Sequence, residues 1–501
     1  MKRRDFLAST VAAAALGPGL LAASGPELWQ KLPRWRGFNL LEKFYRNERF
    51  RESDFQWISD WGFDFVRLPM DYRQWTGADD PGTLREDVLE HVDEAIELGR
   101  KYGVHVSLNL HNAPGYTVNR AVKHSLSLWE DEEAQRQFAF QWRQFAVRYR
   151  GIPSDRLSFN LVNEPAHIDE DVYLRAVKGA VDGIRKEDPE RLIISDGLNW
   201  GRDPIAGLKP WRVAQSTRGY SPAEISHYRA SWVRGADRYP TPEWPIPQVN
   251  GRLFSPSRRD WHAPLVVEGA FGEAMQLRVR VGQVSGHSRL VVTADGETIV
   301  EKTFQPGPGE GEWKEVVHAP QWNIYQNIYD RDYHASVPAG TKRLELANVE
   351  GDWMTVTELG LKPAGDRPEH VLVVRSLAWG EPDRGVVRFQ PGADGPAFVP
   401  PSMMDRQWLA EHCIAPWKKL ADEGVGVHVG EWGAHRFTPH DVVLRWAEDQ
   451  LSLWQQAGFG WALWNLRGSF GIVDSQREDI AYAEFHGHQL DRRFLELLRA
   501  Y

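Results

Sequence analysis

Apolar and polar positions alternate in two different ways along the chain. From about residue 33, short apolar runs that predict β-strands are separated by amphipathic segments that predict helices. One helix is expected after Thr83 and Glu86, which stand at capping-box spacing, and Gly103 fits its end. Further helices are expected over 133–149 and 169–186. Regular alternation of this kind predicts a parallel sheet covered by helices. The strand-like runs are RGFNLL (36–41), FDFVRL (63–68), VHVSLNL (104–110), LSFNLV (157–162) and LIIS (192–195).

The pattern changes near residue 240, at the proline-rich stretch YPTPEWPIPQ. Beyond it, apolar residues recur at every second position, and helical spacing is scarce. RLVVTADGETIV places Asp295-Gly296 between two such runs, which is a hairpin signal. KEVVHA, KRLELA, WMTVTELGL and HVLVVRSLAW continue in the same way. This part of the chain therefore predicts an all-β module of the sandwich type.

Helical spacing returns after Pro400-Pro401, over about 405–423 and 442–456, with the strand-like runs VGVHV (425–429) and FGWALW (459–464). A weaker candidate near 212–215 brings the expected strands to eight. We therefore predict a (β/α)8 TIM barrel formed by 27–245 and 402–501, with a β-sandwich inserted at 246–401. Loops that follow barrel strands form the catalytic face, so an insert after the sixth strand is expected beside the active site.

Composition narrows the classes of partner. Hydrophobic residues make up 42% and charged residues 26%, which are values of globular proteins. The formal net charge of −9 gives no basic field, so no nucleic-acid partner is expected. Cys413 is the one cysteine, so the chain forms no disulfide within itself. Tryptophan is frequent, at 23 residues, and a minority of such side chains lie in clefts where flat ligands bind.

The N-terminal segment MKRRDFLASTVAAAALGPGLLAASG has Arg3-Arg4 ahead of a short apolar run. This is the pattern of a twin-arginine-type signal peptide, expected over 1–24, and it predicts export to the periplasm or beyond. An uncleaved anchor or a tail is the alternative. No other run reaches membrane-spanning length, so no membrane span is expected in the mature chain. The cleavage site and the oligomeric state are open at this stage.

Polar and aromatic residues stand where the predicted strands end. In a closed barrel such strand ends converge on one face. Two carboxylates that face each other across a sugar bond can hydrolyse it, one as a proton donor and one as a nucleophile. An arginine beside the nucleophile would keep it ionised, and a neighbouring amide would bond a sugar hydroxyl. The strand-end residues are Arg67, His111, Asn163, Glu164, Glu431 and Trp464.

These pieces together resemble glycoside hydrolase family 5, the retaining barrel enzymes that include cellulases. The resemblance covers nearly all of both barrel pieces but not the insert. It rests on RGFNLLEKF, FVRLPMDYRQW, LHNAPGY, FNLVNEP, ISHYRASW, VGEWG and LWNLRGSFGIVDS. It implies that Glu164 is the acid/base and Glu431 the nucleophile. The supporting set that it implies is Arg67, His111, Asn163, His227, Tyr228 and Trp464.

Two positions depart from this pattern or stay open. His227 and Tyr228 are adjacent here, whereas the family often spaces them by one residue. Neighbours on a strand point to opposite faces, so one of the two need not line the pocket. Trp432, next to Glu431, is either a substrate contact or a core residue.

The resemblance implies a retaining hydrolase for β-linked oligo- or polysaccharides, like an endoglucanase or a β-glucosidase, with no metal or cofactor. An exo-acting enzyme on mannan, a xylan-type glycan or a furanoside is an alternative, because a large insert can close one end of a cleft. A non-catalytic carbohydrate-binding protein is a second alternative. The insert itself is expected to be like a carbohydrate-binding module, or to shape the cleft without binding sugar.

Overall fold

A computed structural model describes residues 27–77, 82–119, 122, 124–374, 385–392 and 397–501. The predicted signal peptide, 1–24, lies outside the described residues. Within this part of the chain, no helix is both long enough and apolar enough to span a membrane.

Eight parallel strands within the described residues close into a barrel. The strands are β1 Arg36–Asn39, β2 Phe65–Asp71, β3 His105–Ala113, β4 Leu157–Val162, β5 Leu192–Asp196, β6 Ala214–Gly219, β7 Val427–Trp432 and β8 Gly460–Leu463. Pairing runs in the order β2-β1-β8-β7-β6-β5-β4-β3, and β2 also pairs with β3, which closes the ring. The prediction of a TIM barrel is confirmed, and each of the eight predicted runs overlaps one of these strands.

Side chains fill the barrel interior in layers of opposite character. At the amino ends of the strands, Phe65, Ile194 and Ala214 share an apolar cluster with Trp35. Residues two positions apart on a strand face the same side. Two positions beyond Phe65 and Ile194 stand Arg67 and Asp196, both fully buried. The interior therefore changes from apolar to charged toward the carboxyl ends of the strands, where TIM-barrel sites lie.

Helices pack around the barrel through their apolar faces. Val88, Val92 and Ile96 of α2 lie in the same core cluster as Leu108 of β3. Gly103 ends α2 in the left-handed conformation, at φ +70°, as predicted. The predicted capping box is wrong, because Arg85 holds the cap position and its side chain makes no capping bond. The helices are α1 Glu52–Asp60, α2 Glu86–Tyr102, α3 Glu132–Arg148, α4 Glu170–Glu187, α5 Ala415–Asp422, α6 His440–Ala457 and α7 Arg492–Ala500.

Short helical turns occupy several connections, and two small strand pairs decorate the barrel. Tyr116–Thr117 pairs with β3, and Ala483–Phe485 pairs with His488–Leu490. The turns are Tyr72–Gln74, Leu198–Gly201, Ala206–Trp211, Ala223–Ser226, Ala236–Arg238, Arg406–Leu409 and the π-helical Ala410–Ile414.

Between β6 and β7 the described chain forms two mainly antiparallel sheets that face each other across an apolar core, which fits the expected sandwich. In order, the larger sheet contains Glu297–Phe304, Ser288–Ala294, Arg343–Gly351, Leu265–Gly269, Val387–Phe389 and Phe398–Val399. The smaller contains Ile328–Val337, Met275–Val284, Trp353–Pro363 and His370–Val373, with Arg252–Phe254 beside the third. A separate pair joins His318–Ala319 to Ile324–Tyr325.

This inserted region has a core of its own, which runs from Val249 to Phe398 and is distinct from the barrel core. Its entry and exit segments, Ile246–Gln248 and Ser402–Met404, pair as an antiparallel ribbon. Arg238, ahead of the insert, donates to Glu315 within it at 3.0 Å. The boundaries at 246 and 401 and the position of the insert beside the active site stay predictions.

Candidate active site

The two predicted carboxylates stand on opposite sides of the barrel mouth. Glu164 follows β4 directly and has a left-handed backbone, with φ +45°. Its N–H donates to Asp196 Oδ2 at 3.0 Å, and its carbonyl accepts from the Tyr116 hydroxyl at 2.7 Å. These two bonds from neighbouring elements hold the backbone conformation, which few residues other than glycine adopt. The side chain of Glu164 then meets Arg218, whose Nε donates to Oε1 at 2.9 Å.

Glu431 lies within β7 and is almost fully buried. Oε1 accepts from Arg67 Nη1 at 2.6 Å and from Arg218 Nη2 at 3.2 Å. Oε2 accepts from the Tyr220 hydroxyl at 3.2 Å. Hydrogen bonds donated to a carboxylate stabilise its ionised form and fix its orientation. Three donors from three side chains therefore fix the orientation of the Glu431 carboxyl group.

Arg67 joins four strands of the barrel. Besides Glu431, its guanidinium donates to Asn160 Oδ1 at 2.8 Å, to Asn163 Oδ1 at 2.8 Å and to Asn39 Oδ1 at 3.0 Å. Every nitrogen of this buried side chain thus has an acceptor. The bonds to Asn39 and Asn160 leave Arg67 little freedom, so it presents Nη1 to Glu431 in one position.

A second buried arginine, Arg218 at the end of β6, contacts both carboxylates. Nε donates to Glu164 Oε1 at 2.9 Å, and Nη2 donates to Glu431 Oε1 at 3.2 Å. Nη2 also bonds Asp196 Oδ2, and it donates to Asn163 Oδ1 at 3.0 Å. One guanidinium therefore connects the carboxylates that end β4 and β7.

Electrostatics divide the carboxylates of the site. Burial, followed by the nearby charge of Glu431, raises the pKa of Glu164 to about 7, and Arg218 only partly offsets this. Burial alone would raise the pKa of Asp196, but Arg218 and Arg67 outweigh it, so that pKa is lowered. Glu164 can hold a proton near neutral pH, whereas Asp196 stays ionised. A carboxyl group with a raised pKa, such as that of Glu164, is what a proton donor near neutral pH requires.

His111 and Trp464 lie beside Glu431 on one side of the pocket. His111 Nδ1 is 4.0 Å from Glu431 Oε1, and Nε2 is 3.3 Å from Asn163 Nδ2. Burial, with Arg67 and Arg218 nearby, holds the pKa of His111 well below its usual value, so the imidazole is neutral. The Trp464 ring is 5.5 Å from that imidazole and remains partly exposed. This side of the pocket is thus a flat aromatic surface next to a neutral ring.

The histidine and tyrosine expected after the sixth strand are placed differently. The His227 ring stacks edge-on at 5.0 Å from Tyr220, the residue that bonds Glu431. The Tyr228 carbonyl accepts from His435 Nδ1 at 3.2 Å. The phenol that donates to Glu431 is that of Tyr220. The assignment of His227 and Tyr228 to the substrate pocket stays a prediction.

Trp432 does not reach the pocket. Its indole has no exposed surface and packs against Trp454 at 5.0 Å and Trp461 at 5.7 Å. Successive residues of a strand point to opposite faces, so Glu431 inward places Trp432 outward, against the helices. The prediction that Trp432 contacts substrate is wrong, and its alternative, a core residue, is what the structure contains.

Three residues of the site were missed from the sequence: Asp196, Arg218 and Tyr220. Asp196 ends β5, one residue past the predicted run LIIS. The sequence predicts the sixth strand near 212–215, but the strand spans Ala214–Gly219, so Arg218 is its last residue but one. The strand-end rule that identified Glu164 would have found both residues had these strands been extended. Among the described residues, no group of three or more His, Cys, Asp or Glu is placed to hold a metal ion.

Comparison with known proteins agrees with this geometry. The description "Cellulase (glycosyl hydrolase family 5)" matches residues 22–224. Residues 22–224, which include the first six barrel strands and Glu164, are thus similar to glycosyl hydrolase family 5. Endoglucanase C of Acetivibrio thermocellus is 29% identical over 206 residues, 40% of this chain and 59% of the relative. Cellodextrinase A of Ruminococcus flavefaciens is 31% identical over 201 residues, 38% of this chain and 58% of the relative. The family 5 match thus spans less than two thirds of each relative.

Solved structures extend the likeness over most of the chain. A glycoside hydrolase crystal structure aligns with a TM-score of 0.60 and 25% identity, covering 93% of this chain and 99% of its own. Cel5A of Thermotoga maritima, solved with cellobiose, aligns with a TM-score of 0.53 and 15% identity. It covers 95% of this chain and 99% of its own, which is a likeness of fold.

Proposed function

We propose that this chain is a retaining glycoside hydrolase that cleaves β-linked gluco-oligosaccharides or glucans, with Glu431 as nucleophile and Glu164 as acid/base. The observation that carries the proposal is the pair of carboxylates at the ends of β4 and β7, bonded to the same guanidinium. One of them has a pKa raised to about 7 and the other accepts three hydrogen bonds. Glycoside hydrolysis needs such a pair, one protonated and one ionised.

In the first step, Glu431 attacks the anomeric carbon while Glu164 gives its proton to the leaving oxygen. The bonds from Arg67 and Tyr220 orient the two oxygens of Glu431 for this attack. In the second step, Glu164, now ionised, takes a proton from water as the water displaces Glu431 from the sugar. The acid of one step is the base of the other, as microscopic reversibility requires.

The remaining side chains orient the sugar. Asn163 Oδ1 is occupied by both arginines and Nδ2 lies 3.3 Å from His111 Nε2, so one amide N–H is left for a sugar hydroxyl beside the nucleophile. Trp464 offers the apolar face of its indole to a pyranose ring. Neutral His111 can donate or accept at a second hydroxyl. These contacts fix the anomeric carbon against Glu431 without adding charge to the pocket.

The glucan assignment draws on the relatives, whose names describe endoglucanase and cellodextrinase activities. Exposed aromatic side chains favour a cleft open on both sides. Tyr45, 74% exposed, packs on Phe44, which borders His111 beside Glu431 Oε1. Trp232, 59% exposed, lies near His227 and hence near Tyr220 at Oε2. Sugar units could stack on both sides of the cleavage point, which supports endo action.

Two further expectations enter the proposal. Arg3-Arg4 and the apolar run after them support export of the chain by a twin-arginine-type signal, to the periplasm or outside the cell. The separate apolar core of 246–401 supports an insert that folds as a unit of its own. An exposed indole at Trp322 gives that unit one candidate sugar contact.

The decisive experiment uses a 2-deoxy-2-fluoro β-glucosyl or β-cellobiosyl fluoride, which forms a slow glycosyl-enzyme. We expect intact mass to increase by one fluorinated glucosyl group or one fluorinated cellobiosyl group, according to the probe, and peptide mapping to place the label on Glu431. Glu431→Gln should take up no label and lose at least about 10⁴-fold in kcat. Turnover of the β-glucan panel by Glu431→Gln at the wild-type rate, or a label elsewhere, would contradict the assignment. Single sugars released throughout would indicate exo rather than endo action.

A further inference from the structure

Arg218 is almost fully buried and forms ion pairs with three carboxylates of the site. Its side chain is 2% exposed, and its guanidinium bonds Glu164, Glu431 and Asp196, which end three different strands or their loops. A Cβ at Gly430 would lie 3.0 Å from Arg218 Nη1, and one at Gly201 would lie 2.7 Å from Arg218 Cγ. Two glycines thus leave the space that the long side chain occupies.

The second arginine of the site has a narrower reach. Arg67 forms an ion pair with Glu431 at 2.6 Å, and its other nitrogens are taken by asparagine oxygens. Arg218 forms ion pairs with both Glu431 and Glu164, at 3.2 and 2.9 Å. Of these two cations, Arg218 is the one that donates a hydrogen bond to both carboxylates.

Several titratable and charged groups face Glu164. They are Asp196 on β5, Arg218 and Tyr220 on and after β6, Glu431 on β7, Arg67 on β2 and Tyr116 on the strand beside β3.

The proposed reaction moves a negative charge from one of these carboxylates to the other. In the free enzyme, Glu431 and Asp196 are anions, Arg67 and Arg218 are cations, and Glu164 carries a proton. As the glycosidic C–O bond breaks, Glu431 forms an ester with the anomeric carbon and loses its charge, while the Glu164 proton goes to the leaving oxygen. Glu164 and Asp196 are now the anions. The net charge of the buried cluster is unchanged, but one anion now stands at Glu164 instead of Glu431, and of the two arginines only Arg218 donates a hydrogen bond to Glu164.

We propose that Arg218 is a positioning residue that transfers its ion pair from Glu431 to Glu164 between the two displacements, and so prepares Glu164 to act as a base. This inference rests on the proposed function. Hydrogen bonds at 2.9 and 3.2 Å from adjacent nitrogens of one planar group let the exchange occur without movement of the backbone. A fixed guanidinium fork supplies both bonds, and a lysine ammonium, as a single point of charge, does not.

The proposal predicts that loss of the guanidinium slows the second displacement selectively. With 2,4-dinitrophenyl β-cellobioside the leaving group needs no proton, so the first step is insensitive to Glu164. Arg218→Met should then release one equivalent of dinitrophenolate in a burst, followed by turnover about 10²-fold or more below wild type. Azide attacks without a base, so it should restore turnover at least fivefold and yield a β-glycosyl azide.

The pH dependence gives a readout that a merely structural role would not move. Removing a cation from beside Glu164 raises the pKa of that carboxyl, so the acid limb of kcat for Arg218→Met should shift to higher pH. Arg218→Lys keeps one positive charge and is the conservative variant if Arg218→Met folds poorly. We expect it to show the same burst and azide response in weaker form. Arg280→Met, an arginine paired with aspartates in the insert, is the matched control and should show none of these changes.

The outcomes separate the two proposals. Equal slowing of both steps in Arg218→Lys and Arg218→Met, with no burst, no azide response and no shift of the pH profile, would overturn the ion-pair transfer. That result leaves the proposed function standing if wild type still forms the fluoro-glycosyl ester on Glu431. Failure of wild type to form that ester would overturn the proposed function itself.

Discussion

The barrel mouth and the core of the insert differ in the side chains that they bury. In the barrel, Arg67, Asp196, Arg218 and Glu431 are all buried and bonded to one another. Across the described part of the insert, the buried polar residues are uncharged: serines, threonines, asparagines and the glutamine Gln248. Arg280 lies on the outer side of a sheet, where it pairs with Asp330 at 2.7 Å and is 30% exposed.

The buried charges of the barrel mouth are explained by chemistry and not by a gain in stability. An unpaired charge is expensive to bury, and even a buried ion pair often contributes little net stability. The described part of the insert buries none of its charged residues completely. The barrel accepts a buried cluster of two cations and two anions because only a dry, fixed cluster can set the protonation of Glu164 and orient Glu431.

Arg67→Met tests the barrel side of this comparison most severely. The change removes one cation from the buried cluster, together with the hydrogen bonds that Arg67 donates to Glu431 and to three asparagine oxygens. We expect the free energy of unfolding to fall by about 3–5 kcal/mol and kcat/KM to fall by at least about 10³-fold. Urea unfolding and steady-state kinetics measure the two. A stability loss below about 1 kcal/mol would mean that the cluster is not dry.

Trp432→Ala and Trp464→Ala separate the core from the pocket in one pair of variants. Trp432 is enclosed by other indoles, so its truncation should cost about 3–5 kcal/mol while the folded fraction keeps its KM. Trp464 is partly exposed, so its truncation should cost less stability and raise KM about tenfold or more. Thermal melts and KM values in parallel decide the matter. A raised KM for Trp432→Ala would return that residue to the site.

The pH dependence of stability isolates the cost of charging Glu164. Its pKa is raised in the folded state, from 4.5 to about 7, so folding favours the protonated form. The stability present below about pH 4.5 is therefore lost as the pH rises through about 7. Glu164→Gln is neutral throughout and lacks this loss. Its stability relative to wild type should improve by on the order of 2 kcal/mol between about pH 5 and pH 8. A pH-independent difference would contradict the raised pKa.

Arg280→Met tests the insert side and should have the smallest effect. Its partners Asp330 and Asp332 are about one third exposed and remain hydrated when the cation is removed. We expect a loss of about 1 kcal/mol or less and unchanged kcat/KM. Differential scanning calorimetry and an assay on the same sample measure both. A loss as large as that of Arg67→Met would remove the distinction between the two regions.

The sequence was sufficient for the barrel because its strands are buried on both faces and stand at regular intervals between amphipathic helices. Glu164 and Glu431 could be located since each ends or nearly ends such a strand. The sequence leaves Trp432 as either a substrate contact or a core residue, and the inward direction of Glu431 decides between the two. Alternation along a strand shows which residues share a face, but it does not show which of the two faces points into the barrel.

Arg218 and Tyr220 show where that reasoning fails. The run AQSTRG of β6 has few apolar residues, because polar side chains fill the barrel interior there, so its hydrophobic signal is weak. The hydrophobic pattern predicts this strand near 212–215, two residues early. The resemblance to family 5 then assigns the pocket residues after it to His227 and Tyr228. Bonds such as that from Arg218 to Glu164 join positions distant in sequence, and no local pattern encodes them.

The ribbon formed by Ile246–Gln248 and Ser402–Met404 has a consequence for how such proteins diversify. The chain leaves the barrel and returns to it at facing positions, Gln248 opposite Ser402. Facing residues of an antiparallel pair are about 5 Å apart, a gap that a two-residue turn can close. A gene could therefore gain, lose or exchange the whole insert at one locus, and Glu164 and Glu431 would still meet across the same barrel.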